Sequence, residues 1–356
     1  MPNNKKILIT LGDVCGIGPE IVVKALSSGK ISVSPEDICI IGNKEVFYKI
    51  ANELGLPPED GVEIIDVPFD LATLKVGETS REAGRHSLLA LQKACELVKD
   101  NYGCAIVTAP VSKKSINMAG HHYAGQTEIL KEFLGAGALY KDESSSLLKG
   151  LKLSKRQKQP EMLFVAGNLR VLLLTRHIKI ANVPHNLSKE GVLASIMTLA
   201  LSLKRDFGIE NPKIALCGLN PHAGESGLFG MEEEYILIPT IKKLRDKYSI
   251  NVDGPFPADT LWAKAAKPFF SGQELDYDAY VACYHDQGLI PVKLLAMDIA
   301  VNTTINLPVI RTSPSHGTAY DIAGMNKANY MSMIESIKLA GTLSVEHATQ
   351  AENVVC

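Results

Sequence analysis

Long apolar runs are missing from this sequence, since none approaches the roughly 18 uninterrupted apolar residues that a membrane-spanning helix requires. The start, MPNNKK, leads directly into a strand-like segment, so we expect no signal peptide. An excess of charge of one sign is missing too, because 37 Lys and Arg residues are balanced by 39 Asp and Glu residues. We therefore expect a cytoplasmic protein without a nucleic-acid or membrane partner.

Closely spaced cysteine pairs are also absent. The seven cysteines are odd in number and scattered, with no Cys-x-x-Cys spacing, and most lie in apolar runs such as ICII and IALCGL. This distribution argues against a disulfide framework or a cysteine zinc site and predicts buried thiols in a reducing compartment. The cysteines are Cys15, Cys39, Cys95, Cys104, Cys217, Cys283 and Cys356.

Strand-like and helix-like segments alternate along the 356 residues, a length sufficient for two domains. KILITLG precedes IGPEIVVKALSS, DICIIG precedes NKEVFYKIANELG, and further strands are predicted at MLFVAG, RVLLLT, KIALCGL and DAYVACY. The pattern predicts an α/β fold with helices on both faces of the sheet. Residues 140–160 depart from it, being rich in serine and lysine without periodicity, and are predicted to be a surface insertion.

The first candidate site is GDVCGIGPE, residues 12–20, between a predicted strand and a predicted helix. Glycines allow a tight turn there, and proline suits the first turn of a helix. Exposed amides at such a turn can bind an anion, although a structural strand-to-helix turn is the more frequent case. The spacing is not G-x-G-x-x-G, so a Rossmann dinucleotide site is not predicted.

Three histidines lie in predicted loops after strands: His177 in LLLTRHIKI, His222 in GLNPHAGESG and His285 in VACYHDQG. Imidazoles from three strand ends suit a divalent cation that keeps positions open for a substrate oxygen. A single loop histidine is more often structural or solvated. His222 and His285 are the stronger candidates because small and polar residues surround them.

Basic and polar residues near apolar stretches form a third candidate set. Arg311 in PVIRTSPSHG and Lys293 after HDQGLIPV need either an internal carboxylate or a bound phosphate or carboxylate, and the sequence leaves both alternatives open. The set also contains Asn302, Gln126 and Thr127. A fourth segment, SPSHGTAYDIAG at 313–324, is rich in small residues that allow a ligand close to the backbone, or it is a turn before the last helix.

Together with TAPVSKK, AGQTEIL and GPFPADTLW, these motifs resemble the 4-hydroxythreonine-4-phosphate dehydrogenase family of vitamin B6 biosynthesis, in the same order from about residue 6 to residue 341. The GIGPE and HGTAYDIAG elements also resemble isocitrate and isopropylmalate dehydrogenases. The resemblance implies a two-domain α/β subunit of that type with a cleft active site, not a Rossmann fold. The expected domains are 1–125 with 300–356 on the NAD side, and 126–299 on the metal and dimer side.

The resemblance also implies roles for individual residues. One divalent ion per site, zinc, manganese, cobalt or magnesium, would be bound by His177, His222 and His285 at a homodimer interface, with one histidine coming from the partner. Asp259, Asp286 and a metal-bound hydroxide are the candidates for accepting the substrate's hydroxyl proton. The residues implied to bind the phosphorylated substrate are Gln126, Thr127, Lys293, Asn302 and Arg311. Those implied to lie near NAD are His316, Gly317, Thr318 and Asp321.

The implied reaction is the NAD-dependent oxidation and decarboxylation of 4-phosphohydroxy-L-threonine to 3-amino-2-oxopropyl phosphate and CO2, in pyridoxal phosphate biosynthesis. One departure supports an alternative. Gln126 stands where many members have histidine, and AGHHYAGQTEIL and LIPVKLL resemble the branch that oxidises D-threonate or D-erythronate 4-phosphate. That branch, in sugar-acid catabolism, keeps the metal, NAD and decarboxylation.

Overall fold

The computed structural model describes residues 1, 5–57, 60–140 and 159–355. The predicted insertion therefore lies outside the described residues, except at its ends. The chain divides into two compact units. The first unit is Met1–Gly135, Val301–Thr303 and Leu307–Cys356, and the second unit is Ala136–Ala300 and Thr304–Asn306.

The expected α/β fold is confirmed by the alternation of strands and helices along the chain. The strands are β1 (Lys6–Thr10), β2 (Ile38–Gly42), β3 (Glu63–Asp66), β4 (Gly103–Thr108), β5 (Glu161–Ala166), β6 (Leu169–Leu173), β7 (Ile214–Cys217), β8 (Val252–Phe256), β9 (Ala279–Ala282), β10 (Val301–Ile305) and β11 (Ile310–Pro314). The helices are α1 (Gly18–Leu26), α2 (Lys44–Leu54), α3 (Arg81–Lys99), α4 (Lys113–Met118), α5 (Gln126–Leu134), α6 (Val183–Asn186), α7 (Lys189–Phe207), α8 (Ile238–Tyr248), α9 (Ala258–Phe270), α10 (His285–Ala296) and α11 (Met331–Val355). Among the described helices, none is long and apolar enough to cross a membrane.

In the first unit the strand order is β3-β2-β1-β4-β11-β10. All neighbours are parallel except β10, which runs antiparallel to β11. Every apolar side chain of β1 is fully buried, which shows that both faces of this strand are covered. Helix α3 packs on one face, and α5 joins the same core through Ile129 and Leu130. This packing explains why the first unit extends to Gly135, beyond the domain boundary expected at residue 125.

The GDVCGIGPE segment is a structural turn in which several backbone amides are already occupied. The N–H groups of Asp13, Gly16 and Ile17 donate to the carbonyls of Pro110, Asp13 and Thr318, respectively, at 2.9–3.0 Å. All residues from 11 to 20 are buried. Of the two alternatives, the structural turn is the one observed, because the loops that follow β4 and β11 cover these amides.

In the second unit the strand order is β5-β6-β9-β7-β8, with β5 antiparallel to β6 and the other neighbours parallel. Helices α9 and α10 share a core with the sheet. The histidine of YHDQG begins α10, so the prediction that it lies in a loop is wrong. Gly288 allows this helix close to the sheet, since an added Cβ would lie 2.6 Å from Leu173 Cδ2.

The cysteines follow the prediction of buried thiols. Cys15, Cys39, Cys95, Cys217 and Cys283 are buried and free, and Cys104 is free and half-buried. Burial raises the pKa of the Cys39, Cys95 and Cys217 thiols to about 12. Cys356 lies outside the described residues.

His86, on α3, is an imidazole enclosed in the first unit. It is 1 % exposed, its ring lies edge-on to Phe69, and neither ring nitrogen has a hydrogen-bond partner among the described residues. Burial lowers the pKa of His86 to about 4, and the charge of Asp66 opposes this shift only in part. The side chain is thus neutral in the folded protein near pH 7.

We expect this histidine to weaken the fold in acid. Between pH 6.5 and about 4 the unfolded chain binds a proton at His86 that the folded protein does not, so the free energy of unfolding falls as the pH falls. His86→Phe should reduce this pH dependence by about 1.4 kcal/mol per pH unit in that window. Urea unfolding at pH 5 and pH 7.5 measures it, with the exposed His122→Phe as control. An unchanged pH dependence in His86→Phe would contradict the assignment.

Candidate active site

Two of the three expected metal ligands lie close together in the second unit. His177 follows β6, and His285 is the first residue of α10, shortly after β9. Because β6 and β9 are parallel neighbours, their carboxyl ends lie at the same edge of the sheet. The two imidazole ring centroids are 5.7 Å apart. At that separation both rings can bind one ion at about 2.1 Å from a nitrogen of each.

Hydrogen bonds join the chain segments just before these histidines. The backbone N–H and the hydroxyl of Thr175 donate to the carbonyl of Cys283, at 3.2 and 2.7 Å. The side chain of Gln287 donates to the Gly218 carbonyl and accepts from the Cys283 N–H, both at 2.7 Å. The carboxyl ends of β6, β9 and β7 are thus linked to one another.

A carboxylate orients His285, whose Nδ1 lies 2.7 Å from Asp286 Oδ1. With the proton on Nδ1, Nε2 is left as an electron-pair donor, the arrangement common in histidines that bind metals. The residues present therefore fit a divalent ion. Imidazole donors suit zinc and similar transition metals better than magnesium, which prefers oxygen ligands.

His222 lies on a separate turn, Pro221–Gly224, after β7. Its side chain is exposed, with its ring centroid 6.1 Å from that of Phe229. Helix α9 packs against this turn, and Asp259 lies in the first turn of that helix with an exposed side chain. Among the residues that the structure describes, no three His, Cys, Asp or Glu side chains are grouped to hold a metal. One chain alone therefore does not bring the three histidines together.

A buried arginine marks the candidate anion site of the first unit. Arg311, in β11, is 3 % exposed, and its Nη2 donates to Thr108 Oγ1 at 2.7 Å and to Gln126 Oε1 at 3.3 Å. Burial lowers the pKa of Arg311 to about 10, and the charge of Glu128 opposes the shift, so the guanidinium stays protonated at neutral pH. Gln126 and Thr127 are the first residues of α5, where the helix dipole also favours an anion.

Asn302 lies on the same strand pair. It is opposite Ser313 in the antiparallel register of β10 and β11, and side-chain alternation places Arg311 on the same face as these two residues. Asn302 Oδ1 is buried and has no hydrogen-bond partner among the described residues. An unpartnered acceptor on the same face as a buried cation fits a ligand that carries both an anionic group and a hydrogen-bond donor. Lys293 belongs instead to the second unit, on α10, with an exposed side chain.

The HGTAYDIAG segment folds onto the GDVCGIGPE turn within the first unit. The Thr318 carbonyl accepts from the Ile17 N–H at 3.0 Å. His316 Nδ1 lies 3.2 Å from the Gly317 carbonyl, and Nε2 is buried without a partner among the described residues. Burial lowers the pKa of His316, which favours the neutral imidazole. An added Cβ at Gly317 would meet nothing within 4 Å. The segment thus combines an open backbone position at Gly317 with a buried ring nitrogen that has no partner among the described residues; Asp321 lies nearby in sequence, with an exposed side chain.

Sequence reasoning missed the group that anchors this segment. The Tyr320 hydroxyl donates to Asp13 Oδ2 at 2.7 Å and lies 3.1 Å from Ser115 Oγ. Burial raises the pKa of Asp13, and the hydrogen bond from Tyr320 opposes the shift. The only signal in the sequence was a carboxylate between glycines in a strand-to-helix turn. Sequence reasoning also missed the hydrogen bonds that join Asn220, just before the His222 turn, to the carboxylate of Glu233.

A family model, a curated relative and a crystal structure all relate this chain to the same family. A family model described as "Pyridoxal phosphate biosynthetic protein PdxA" matches residues 34–340. A Synechocystis protein named 4-hydroxythreonine-4-phosphate dehydrogenase is 40 % identical over 349 residues, or 95 % of each chain. The crystal structure of the 4-hydroxythreonine-4-phosphate dehydrogenase from Klebsiella pneumoniae has a TM-score of 0.79 at 34 % identity, covering 96 % of this chain and 98 % of that one.

A terephthalate 1,2-cis-dihydrodiol dehydrogenase from Burkholderia xenovorans is also similar, with a TM-score of 0.61 at 28 % identity, covering 95 % of this chain and 98 % of that one. The identity to the Synechocystis protein and the extent of the family match confirm the resemblance seen in the motifs. The chain therefore belongs to the family described as pyridoxal phosphate biosynthetic protein PdxA.

Proposed function

We propose that this protein is an NAD-dependent dehydrogenase that oxidises and decarboxylates 4-phosphohydroxy-L-threonine to 3-amino-2-oxopropyl phosphate and CO2, for pyridoxal phosphate synthesis in the cytoplasm. The observation that carries the proposal is the pair of adjacent imidazoles of His177 and His285 at the carboxyl ends of two neighbouring strands. Family membership, and the names of the relatives, support the substrate.

The histidines His177, His222 and His285 hold the divalent ion, with one of them supplied by the partner subunit. A metal held there would supply Lewis-acid polarisation of the substrate's oxygen, and a bound NAD would supply the hydride acceptor. Asp286 keeps Nε2 of His285 available by accepting from Nδ1. Since Asp286 is engaged in this way, we assign the proton-accepting role to Asp259 on the helix that packs against the His222 turn.

The first unit binds the charged end of the substrate. Arg311 with the first turn of α5 takes the phosphate, because a protonated guanidinium and helix amides both favour an anion. Asn302 Oδ1 accepts from the substrate's amino or hydroxyl group. The segment with His316, Gly317 and Thr318 takes the adenine side of NAD, and Lys293 neutralises substrate charge.

The assay that tests the function is NADH formation by purified protein, with and without a chelator. We expect chelator-sensitive turnover of 4-phosphohydroxy-L-threonine that zinc or cobalt restores, and little turnover of D-threonate 4-phosphate. Faster turnover of the threonate compound would contradict the proposed substrate and favour the sugar-acid branch. Gln126, which cannot carry the charge of the histidine common at this position, would then be the first residue to exchange.

The anion site has its own test. Inorganic phosphate at a hundred times its dissociation constant should stabilise the protein by about 2.7 kcal/mol, and Arg311→Met should lose this stabilisation. Thermal unfolding with and without phosphate measures it. Arg170→Met is the matched control, because Arg170 is half-buried in the second unit and donates to the carbonyls of Asn168 and Asp278. An equal rise in Tm for Arg311→Met and the unmodified protein would contradict the assignment.

The homodimer is proposed on an exposed apolar stripe made of Ile290 and Leu294 on α10 and of Met297, the residue at its C-cap. These side chains are 58, 78 and 69 % exposed and, spaced four and three residues apart, lie on one helix face. We expect Leu294→Asp to convert the dimer to a monomer and to abolish turnover. Light scattering during size-exclusion chromatography measures the mass, and Val345→Asp on α11, 49 % exposed, is the control. A dimeric Leu294→Asp protein would show that this stripe is not the interface.

A further inference from the structure

The turn that carries His222 has a rare backbone conformation. Six consecutive residues, 222–227, all have positive φ, between 44° and 91°. Only two of them are glycine, so His222, Ala223, Glu225 and Ser226 adopt a left-handed conformation that side chains disfavour. Such a turn persists only where surrounding contacts determine it, and strain of this kind concentrates at functional sites.

Besides the backbone hydrogen bonds within the turn, a buried carboxylate, that of Glu233, holds the chain where it enters the turn. Glu233 is 1 % exposed. Its Oε1 accepts from the Asn220 N–H at 2.8 Å, and its Oε2 accepts from Asn220 Nδ2 at 2.9 Å. Asn220 precedes the turn directly, so both of these hydrogen bonds fix the point at which the chain enters it. The half-buried Glu232 accepts from the same Nδ2 at 2.8 Å.

The same carboxylate also packs against the turn itself. A Cβ added to Gly224 would lie 2.7 Å from Glu233 Oε2, and one added to Gly218 would lie 3.2 Å from Oε1. The glycines thus leave the space that the carboxylate fills.

The local helix geometry places Glu233 at this position. Residues Glu233–Leu237 form one π-helical turn before α8. Pro239 lies in the first turn of α8 and has no N–H with which to bond the preceding turn, which favours the wider winding. π-helical turns of this kind are frequent at functional sites.

We propose that Glu233 is the positioning residue for His222: it holds Asn220 and the left-handed turn so that the imidazole is presented to the metal. This inference rests on the proposed function, because it requires His222 to be a metal ligand. Glu233 does not itself bind the metal, and it acts through the backbone that it fixes.

The test is Co²⁺ binding to the full-length protein, measured by titration calorimetry and by the visible absorption of the bound ion. Glu233→Gln replaces one acceptor with an NH2 group that faces the Asn220 donors. We expect a 10- to 100-fold weaker Co²⁺ affinity, the range typical when a partner of a metal ligand is changed. Glu234→Gln makes the same charge change at an exposed neighbour and should bind Co²⁺ like the unmodified protein. Turnover of Glu233→Gln should recover at saturating Co²⁺, and circular dichroism of the metal-free variant should match that of the unmodified protein, which a merely unstable protein would not show.

The His222→Ala variant distinguishes an error in the metal assignment from an error in the positioning role of Glu233. If His222→Ala binds Co²⁺ as tightly as the unmodified protein, the metal assignment of the proposed function is wrong. If His222→Ala weakens binding and Glu233→Gln does not, the positioning role of Glu233 is wrong. Should Glu233→Gln fail to fold, as judged by circular dichroism, Asn220→Asp places a carboxylate against Glu233 and is expected to weaken Co²⁺ binding in the same way. Unchanged affinity in Asn220→Asp would overturn the inference.

Discussion

The carbonyl of Cys283 is the acceptor on which the candidate metal centre depends. This carbonyl accepts hydrogen bonds from both the N–H and the hydroxyl of Thr175. The two hydrogen bonds bring the ends of β6 and β9 into register. His177 and His285 each follow two residues later, so these hydrogen bonds constrain the separation of their rings before any metal binds. A site built on strand ends in this way is more rigid than one built on loops alone.

In the first unit, two buried charged side chains, Arg311 and Asp13, fix the hydrogen bonds around them. A guanidinium with only 3 % of its surface exposed is costly unless polar groups surround it, and Thr108, Gln126 and the charge of Glu128 provide this environment. Asp13 is a buried acid with hydrogen-bond donors around it. Burial raises the pKa of its carboxyl group, and the hydrogen bonds from the Tyr320 hydroxyl and the Cys15 N–H oppose that shift. Hydrogen bonds to or from neighbouring side chains thus hold both charged groups inside the first unit.

Much of this architecture was predictable from periodicity. The helices α1 and α2 have bounds close to their sequence patterns, and the predicted strands at β5, β6, β7 and β9 are present. Helix α10 was missed because Gly288 and Pro291 interrupt its pattern, while burial against the sheet favours the helix regardless. The family was predictable because its motifs are ordered along the whole chain, and the comparisons confirm it. The contact between Asn220 and Glu233 was not predictable, because nothing in a single sequence pairs a loop amide with one particular carboxylate.

The π-helical turn at Glu233–Leu237 also constrains chain length. A π-helical turn contains one residue more than an α-helical turn, so deleting a single residue here would restore regular α-helix. Each residue of an α-helix turns the chain by about 100°, and the deletion would rotate Glu233 away from Asn220 relative to α8. A sequence that is otherwise identical but one residue shorter here would therefore lose the contact. The number of residues between the His222 turn and α8 is thus as much a determinant of this site as their identity.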